Sequence, residues 1–334
     1  MITRRPWKGV IVALVSTMAA GIPLITSAAQ PSQTVNLVTN PAGQGNYVIS
    51  VAQGQLISKK ANIRVLVQPT QGPKVIPALL ERKDGVMATL SSIGTFWAYT
   101  GTGEYNKAYK FIRVFQSGNN NYFGLVTREG TGIKSIADLK GKRITYFITS
   151  LLTLELLETE LQAYGLDPAK DITLLKAEDT PTALQNLVDK RTDAVSCALG
   201  GSKMVEFSQK AKLIVLPFQA EKASSLQKRL PAMFPAITPP TLAGVDPGVP
   251  VVATSNLLIG RVDLEDDLVY RMVKALIENY DELKTVNPVM ADWKPEVAVK
   301  ELPIPYHPGA IKYYRERKLW SSNMDQIQQK LLEK

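Results

Sequence analysis

Two side chains with reactive chemistry occur once each among the 334 residues, His307 and Cys197. An imidazole can move a proton near neutral pH or ligate a metal, and a thiolate can attack an electrophile. Their surroundings argue for quieter roles. His307 lies in LPIPYHPGAIKYYRERKLW, directly before a Pro-Gly pair. Pro308 suits the first position of a helix, which leaves His307 as its cap. The positive potential of a helix N-terminus disfavours an imidazolium and suits a neutral, hydrogen-bonded ring. With no second histidine and no cysteine nearby, a zinc ion there would have only carboxylates as further ligands. Cys197 sits in DAVSCALGG, an apolar setting that predicts a buried, inert thiol, and a lone cysteine forms no internal disulfide. No phosphate-cradling loop, metal cluster or dinucleotide fingerprint is present. These features predict a non-catalytic protein without metal or cofactor.

The elements that must position any site follow from patterning. Hydrophobic residues make up 45% and charged residues 21%, the balance of a globular chain with room for two domains. The start differs. Arg4, Arg5 and Lys8 precede an uncharged run from Gly9 to Ile25 and then TSAAQ, which predicts a secretory signal over residues 1–29, cut near Ala28 or Ala29. No cysteine stands there to carry a lipid, so the mature protein is expected free in the periplasm. The formal charge of +9 includes those three cations, and the mature chain carries +6. The remaining basic residues are scattered beside acids, which argues against nucleic-acid binding.

Beyond the leader, short apolar runs alternate with amphipathic stretches, as expected of an α/β protein with largely parallel sheets. TVNLVTN, IRVLVQ and VMATL read as strands, with helices over YVISVAQGQLISKK, PKVIPALLERKDG (ended by Gly85) and SSIGTFWAYTG. A second cycle starts near Arg128. In it RITYF, ITLLKA and DAVSCAL are strands, and Ser135 caps a short helix with Asp138 three residues on. Asp263 is a plausible cap for a helix whose apolar face is Val269, Met272, Val273, Leu276, Tyr280 and Leu283. The apparent crossings predict one lobe from residues 30–127 plus 249–334 and another from 128–248. Two such lobes with a cleft between them suit closure on a small ligand.

Several segments resemble a known family. GIKSIADLKGKRI is similar to a segment of type II periplasmic solute-binding proteins. LPIPYHPGAIKYYRERKLW resembles the C-terminal signature of the TAXI family, receptors of a class of TRAP transporters, whose pattern runs close to L-P-I-P-x-H-P-G-A-x-x-Y-Y-R-E-x-G-L. DLVYRMVKALIENYDEL, VDKRTDAVSCALGG and AYTGTGEY extend the likeness over the mature chain. The resemblance implies a two-lobed periplasmic-binding-protein fold with the ligand in the interdomain cleft.

Four stretches match the family's ligand loops, and SGNNNYFG stands where it has a proline-containing loop. NPAGQGNYV supplies Gly43, Gln44, Asn46 and Tyr47; SSIGTFWAYTG supplies Ser91, Ser92 and Trp97; FITSLLT supplies Phe147, Ser150 and Thr153; GGS supplies Gly201 and Ser202. Tyr122 is added from SGNNNYFG. Turns that open helices present unpaired N–H groups suited to carboxylate oxygens, and hydroxyls add donors. Plainer roles stay open: Tyr47 and Trp97 as core, Asn46 and Ser150 as caps. The third loop has lost the family's prolines and glycines to Phe147, Ile148, Leu151 and Leu152, and no matched loop holds an arginine to clamp a carboxylate. The expected function is a monomeric receptor that takes a small organic acid or amino acid to TRAP transporter subunits. A sensor partner of a membrane signalling protein is the alternative on the same fold, and an enzyme on this scaffold a remote one.

Overall fold

A computed structural model describes residues 33–84, 86–147 and 150–333. The leader over residues 1–29, the helix stop at Gly85 and the loop residue Ile148 lie outside the described residues. The element order is β1 (Gln33–Thr39), α1 (Gly45–Lys60), β2 (Ile63–Pro69), α2 (Ile76–Glu81), β3 (Met87–Ser91), α3 (Ser92–Thr100) and β4 (Ile112–Arg128). Then come β5 (Arg143–Phe147), α4 (Leu151–Ala163), β6 (Thr173–Ala177), α5 (Thr180–Val188), β7 (Ala194–Ala198), α6 (Ser202–Lys210), β8 (Leu213–Val215), α7 (Ala223–Arg229) and β9 (Phe234–Ile237). β10 (Pro250–Arg261), α8 (Asp266–Glu278), α9 (Tyr280–Val286), α10 (Pro308–Glu316) and α11 (Ser322–Leu332) complete the chain.

The strands form one sheet in the order β2-β1-β3-β10-β4-β7-β5-β6, with β8 beside β4 and β9 beside β10. β1 pairs in parallel with β2 and β3, and β5 with β6 and β7. Each parallel group is the product of strand–helix–strand crossovers, as the alternating sequence predicts. The two groups are joined by an antiparallel ribbon of β4 and β10.

That ribbon carries the chain from one core to another. Val114 and Phe115 of β4 and Leu257–Ile259 of β10 pack with α1, α8 and α10. Leu125 and Val252 pack instead with Leu156, Leu157 and Leu161 of α4, and Val126 and Val251 pack with α5 and α6 on the other face. The sheet of β5, β6 and β7 is therefore covered on both sides, which explains its apolar strands. α3 is the exception among the elements of the first group: Ile93 and Trp97 join the α4 cluster.

Local signals decide most helix ends. The Ser135 side chain and Asp138 form a reciprocal capping box, although the segment is a 3-10 turn over Ile136–Leu139. The α8 start differs from expectation. Its cap is Glu265, without a side-chain bond, because both oxygens of Asp263 accept from Arg261 (2.7 and 2.9 Å) and Lys83 stands 3.2 Å away. SGNNNYFG, expected as a loop, is strand: it continues β4 without a break.

Glu160 on α4 is the costly residue of this fold. It is 1% exposed, and neither carboxylate oxygen has a partner among the described residues. Burial pushes its acid up to about 8, which keeps it protonated near neutrality. The unfolded acid ionises near 4.5, so wild-type stability falls as pH rises from there to about 8 and stays low above. Glu160→Gln should remove this loss, seen as a difference between the two proteins' denaturation free energies that grows across the window. A constant difference across that pH range would show that the acid is not held neutral.

Candidate functional site

The asparagine run lies in the middle of the ribbon. Asn120 faces Ser255 and Ser117 faces Leu257, so Gly118 and Asn119 together oppose Asn256 alone. This bulge re-aims three amides, of which Asn119 and Asn256 are buried and Asn121 half-buried. The Asn119 side-chain oxygen accepts from Asn256 Nδ2 (3.1 Å) and from the Trp293 indole (3.0 Å), and Asn121 Nδ2 donates to Asn256 Oδ1 (3.0 Å). Gly118 is required here, since a Cβ on it would lie 2.2 Å from the Trp293 ring.

Lys300 ties the strands together. Its ammonium donates to Asn120 Oδ1 (2.9 Å) and Ser255 Oγ (2.7 Å) and lies 5.3 Å from the Phe234 ring centroid. Burial pulls its pKa down to about 8, against a smaller opposing pull from Asp292.

The residues named from sequence fall into three groups. Some are consumed by structure. Ser92 is fully buried, donates to the Ala232 carbonyl (2.8 Å) and accepts from Ser255 N (3.2 Å), so its hydroxyl binds α3 to the ribbon. Ser91 and Ser150 cap α3 and α4, accepting from Gly94 N and Thr153 N, and Thr153 Oγ1 donates back to the Ser150 carbonyl (2.9 Å). Trp97 and Phe147 are each 6% exposed and belong to different apolar clusters. Others are open: Gly43, Gln44, Gly201 and Ser202 are exposed at the starts of α1 and α6, and Gln44 accepts from Asn40 Nδ2 (3.2 Å). Asn46, Tyr47 and Tyr122 are half-buried, with burial raising the Tyr122 phenol above its ordinary range.

A cavity of about 680 Å³ lies at the N-terminus of α4. It is lined by Gln71, Gly72, Pro73, Lys74, Val75, Gly103, Glu104 and Leu151, none of them among the ligand contacts expected from sequence. Its volume is in the range of small-molecule sites. Ile76, next to Val75, anchors in the first core, whereas Leu151 packs against the second. The cavity therefore spans elements from both ends of the ribbon. Tyr105 donates to the Pro73 carbonyl (3.2 Å) and fastens its two loops to each other. The signal missed is TQGP at the carboxyl end of β2, a turn placed where α/β sheets hold their ligands.

His307 is the cap of α10. Its Nδ1 accepts from Gly309 N (3.1 Å), its ring packs edge-on against Phe115, and burial pushes the imidazole below its ordinary range. The neutral ring makes the 3.7 Å approach to Asp266 something other than an ion pair. Cys197 is buried and its thiol is pushed up to about 12, chiefly by burial and further by Glu160. Among the described residues no cluster of histidine, cysteine and carboxylates could hold a metal, and no helix is long and apolar enough to cross a membrane.

This ribbon-linked pair of α/β groups is the two-lobed periplasmic-binding-protein fold. A TctC solute-binding protein from Polaromonas, solved without ligand, matches with a TM-score of 0.56 and 14% identity over 78% of this chain and 87% of its own. The L-cystine solute receptor of Neisseria gonorrhoeae, unliganded and open, gives 0.47 at 15% identity, covering 81% and 97% respectively. A probable amino-acid ABC transporter extracellular-binding protein of Bacillus subtilis gives 0.47 at 13% identity over 78% and 97%. The chain belongs to the NMT1-like family, whose model matches residues 37–317.

Ser92→Ala should cost about 1–3 kcal/mol of stability, because the Ser255 amide and the Ala232 carbonyl lose their buried partner. Chemical denaturation measures this. An unchanged midpoint would mean that the tie between α3 and the ribbon carries no weight.

Proposed function

We propose that this protein is an extracytoplasmic solute receptor of the TAXI type, which captures a small organic acid or amino acid and delivers it to a TRAP-type transporter. It acts as a monomer in the periplasm, after removal of its leader, and does no chemistry on the solute. The observation that carries the reading is the cavity shared between Leu151 of α4 and the loops at residues 71–75 and 103–104. A ligand there touches elements rooted at both ends of the ribbon, so its binding energy favours an arrangement in which they are close. We place the hinge inside the ribbon, at residues 118–121 and 254–256, on the first-lobe side of the boundaries at 127/128 and 248/249 expected from sequence. Gly43, Gln44, Asn46, Tyr47, Tyr122, Gly201 and Ser202 remain candidates for ligand contact, whereas the hydroxyls of Ser91, Ser92, Ser150 and Thr153 serve the scaffold first.

Deleting the gene should abolish uptake of the solute by the organism that encodes it, and restoring the gene should return uptake. Normal uptake in the deletion strain, with a transcriptional response to the solute lost instead, would replace transport with sensing.

A further inference from the structure

The cavity at the N-terminus of α4 carries two opposite charges with no ion-pair partner. Lys74 is exposed and Glu104 half-buried, and no salt bridge occupies either of them among the described residues. Pro73, Val75 and Leu151 add apolar surface to the same lining. Gly103, whose φ is +58°, lies flat on Trp97, and a Cβ there would sit 2.2 Å from that indole. The Tyr105–Pro73 hydrogen bond holds the loop of Lys74 and the loop of Glu104 in one frame. Two poles of opposite sign on loops tied to each other, with apolar side chains in the same lining, form a complement to a dipolar molecule with an apolar part.

We infer that the solute is a zwitterion on an apolar frame, such as an aromatic amino acid or a short apolar peptide. This rests on the receptor reading above. Its carboxylate faces Lys74, its ammonium faces Glu104, and its apolar body lies against Leu151. A dicarboxylate fits less well, because its second carboxylate would meet Glu104, a like charge, with no second cation in the lining to offset it. The volume of about 680 Å³ also exceeds what a bare short-chain diacid needs, since a water takes about 30 Å³ of liquid.

The test is a thermal-shift and calorimetric series on the purified protein. The probes are phenylalanine, phenylalanylalanine, 3-phenylpropionate, phenethylamine, glutamate and succinate. The zwitterions are expected to bind, with those carrying one charge and the diacids weaker by roughly tenfold or more. Lys74→Gln should weaken phenylalanine binding about tenfold while leaving phenethylamine unchanged, and Glu104→Gln should weaken it while leaving 3-phenylpropionate unchanged. The stronger of phenylalanine and its dipeptide sets the length of the frame. If 3-phenylpropionate or a diacid binds as tightly as the zwitterions, the inference is wrong and the receptor reading stands. If no probe binds, and mass spectrometry of the denatured protein releases no small molecule, the receptor reading falls and the inference with it.

Discussion

Everything in this molecule depends on a two-stranded ribbon that passes from one core into another while keeping its asparagine amides paired. Asn119 and Asn256 are nearly fully buried, and each amide finds a partner, with the Trp293 indole completing the set. A buried amide left unpaired costs about 1–3 kcal/mol, so the three asparagines cannot slip in register without a penalty at each. The bulge at Gly118 and Asn119 meets this demand and bends the strand where the cores part. Lys300, anchored to both strands, and Ser92, which reaches from α3 to the Ser255 amide, brace the same point from two sides.

The site inherits its chemistry from that arrangement. α3 starts at the ribbon, and its Ile93 and Trp97 pack among the leucines of α4, so this junction is apolar. The polar and charged groups of the proposed site come instead from the 71–75 turn and Glu104. Hydroxyls at the helix starts are largely committed to capping, as the distances at Ser91, Ser150 and Thr153 show. A serine or threonine at a helix start has two possible uses, as a cap for its own helix or as a donor to a ligand, and capping is always within reach.

Much of the fold was legible in the sequence because its signals are local. The period-two runs, the Ser135–Asp138 box and the His-Pro start of α10 each predict their structure from neighbours a few residues away. The failures are tertiary. Asparagines are poor strand formers, so SGNNNYFG reads as a loop until the partners Asn256, Trp293 and Lys300, some 135–180 residues away in sequence, are brought beside it. Asp263 looks like a cap until Arg261 claims its carboxylate. Ser92 looks like a ligand donor until β10 and Ala232 close over it. Glycine, proline and lysine in the 71–75 turn read in sequence as an ordinary connection, and only the fold shows that they line a cavity.

The central claim is that a solute sits between Leu151 and the two loops facing it. The direct measurement is calorimetric titration of the wild type and of Leu151→Trp, which fills the cavity from the α4 side, with the probe that raises the melting midpoint most. The account predicts one-to-one binding by the wild type and none by a variant that melts as a folded protein. Equal affinity in the two would put the solute elsewhere and contradict the account.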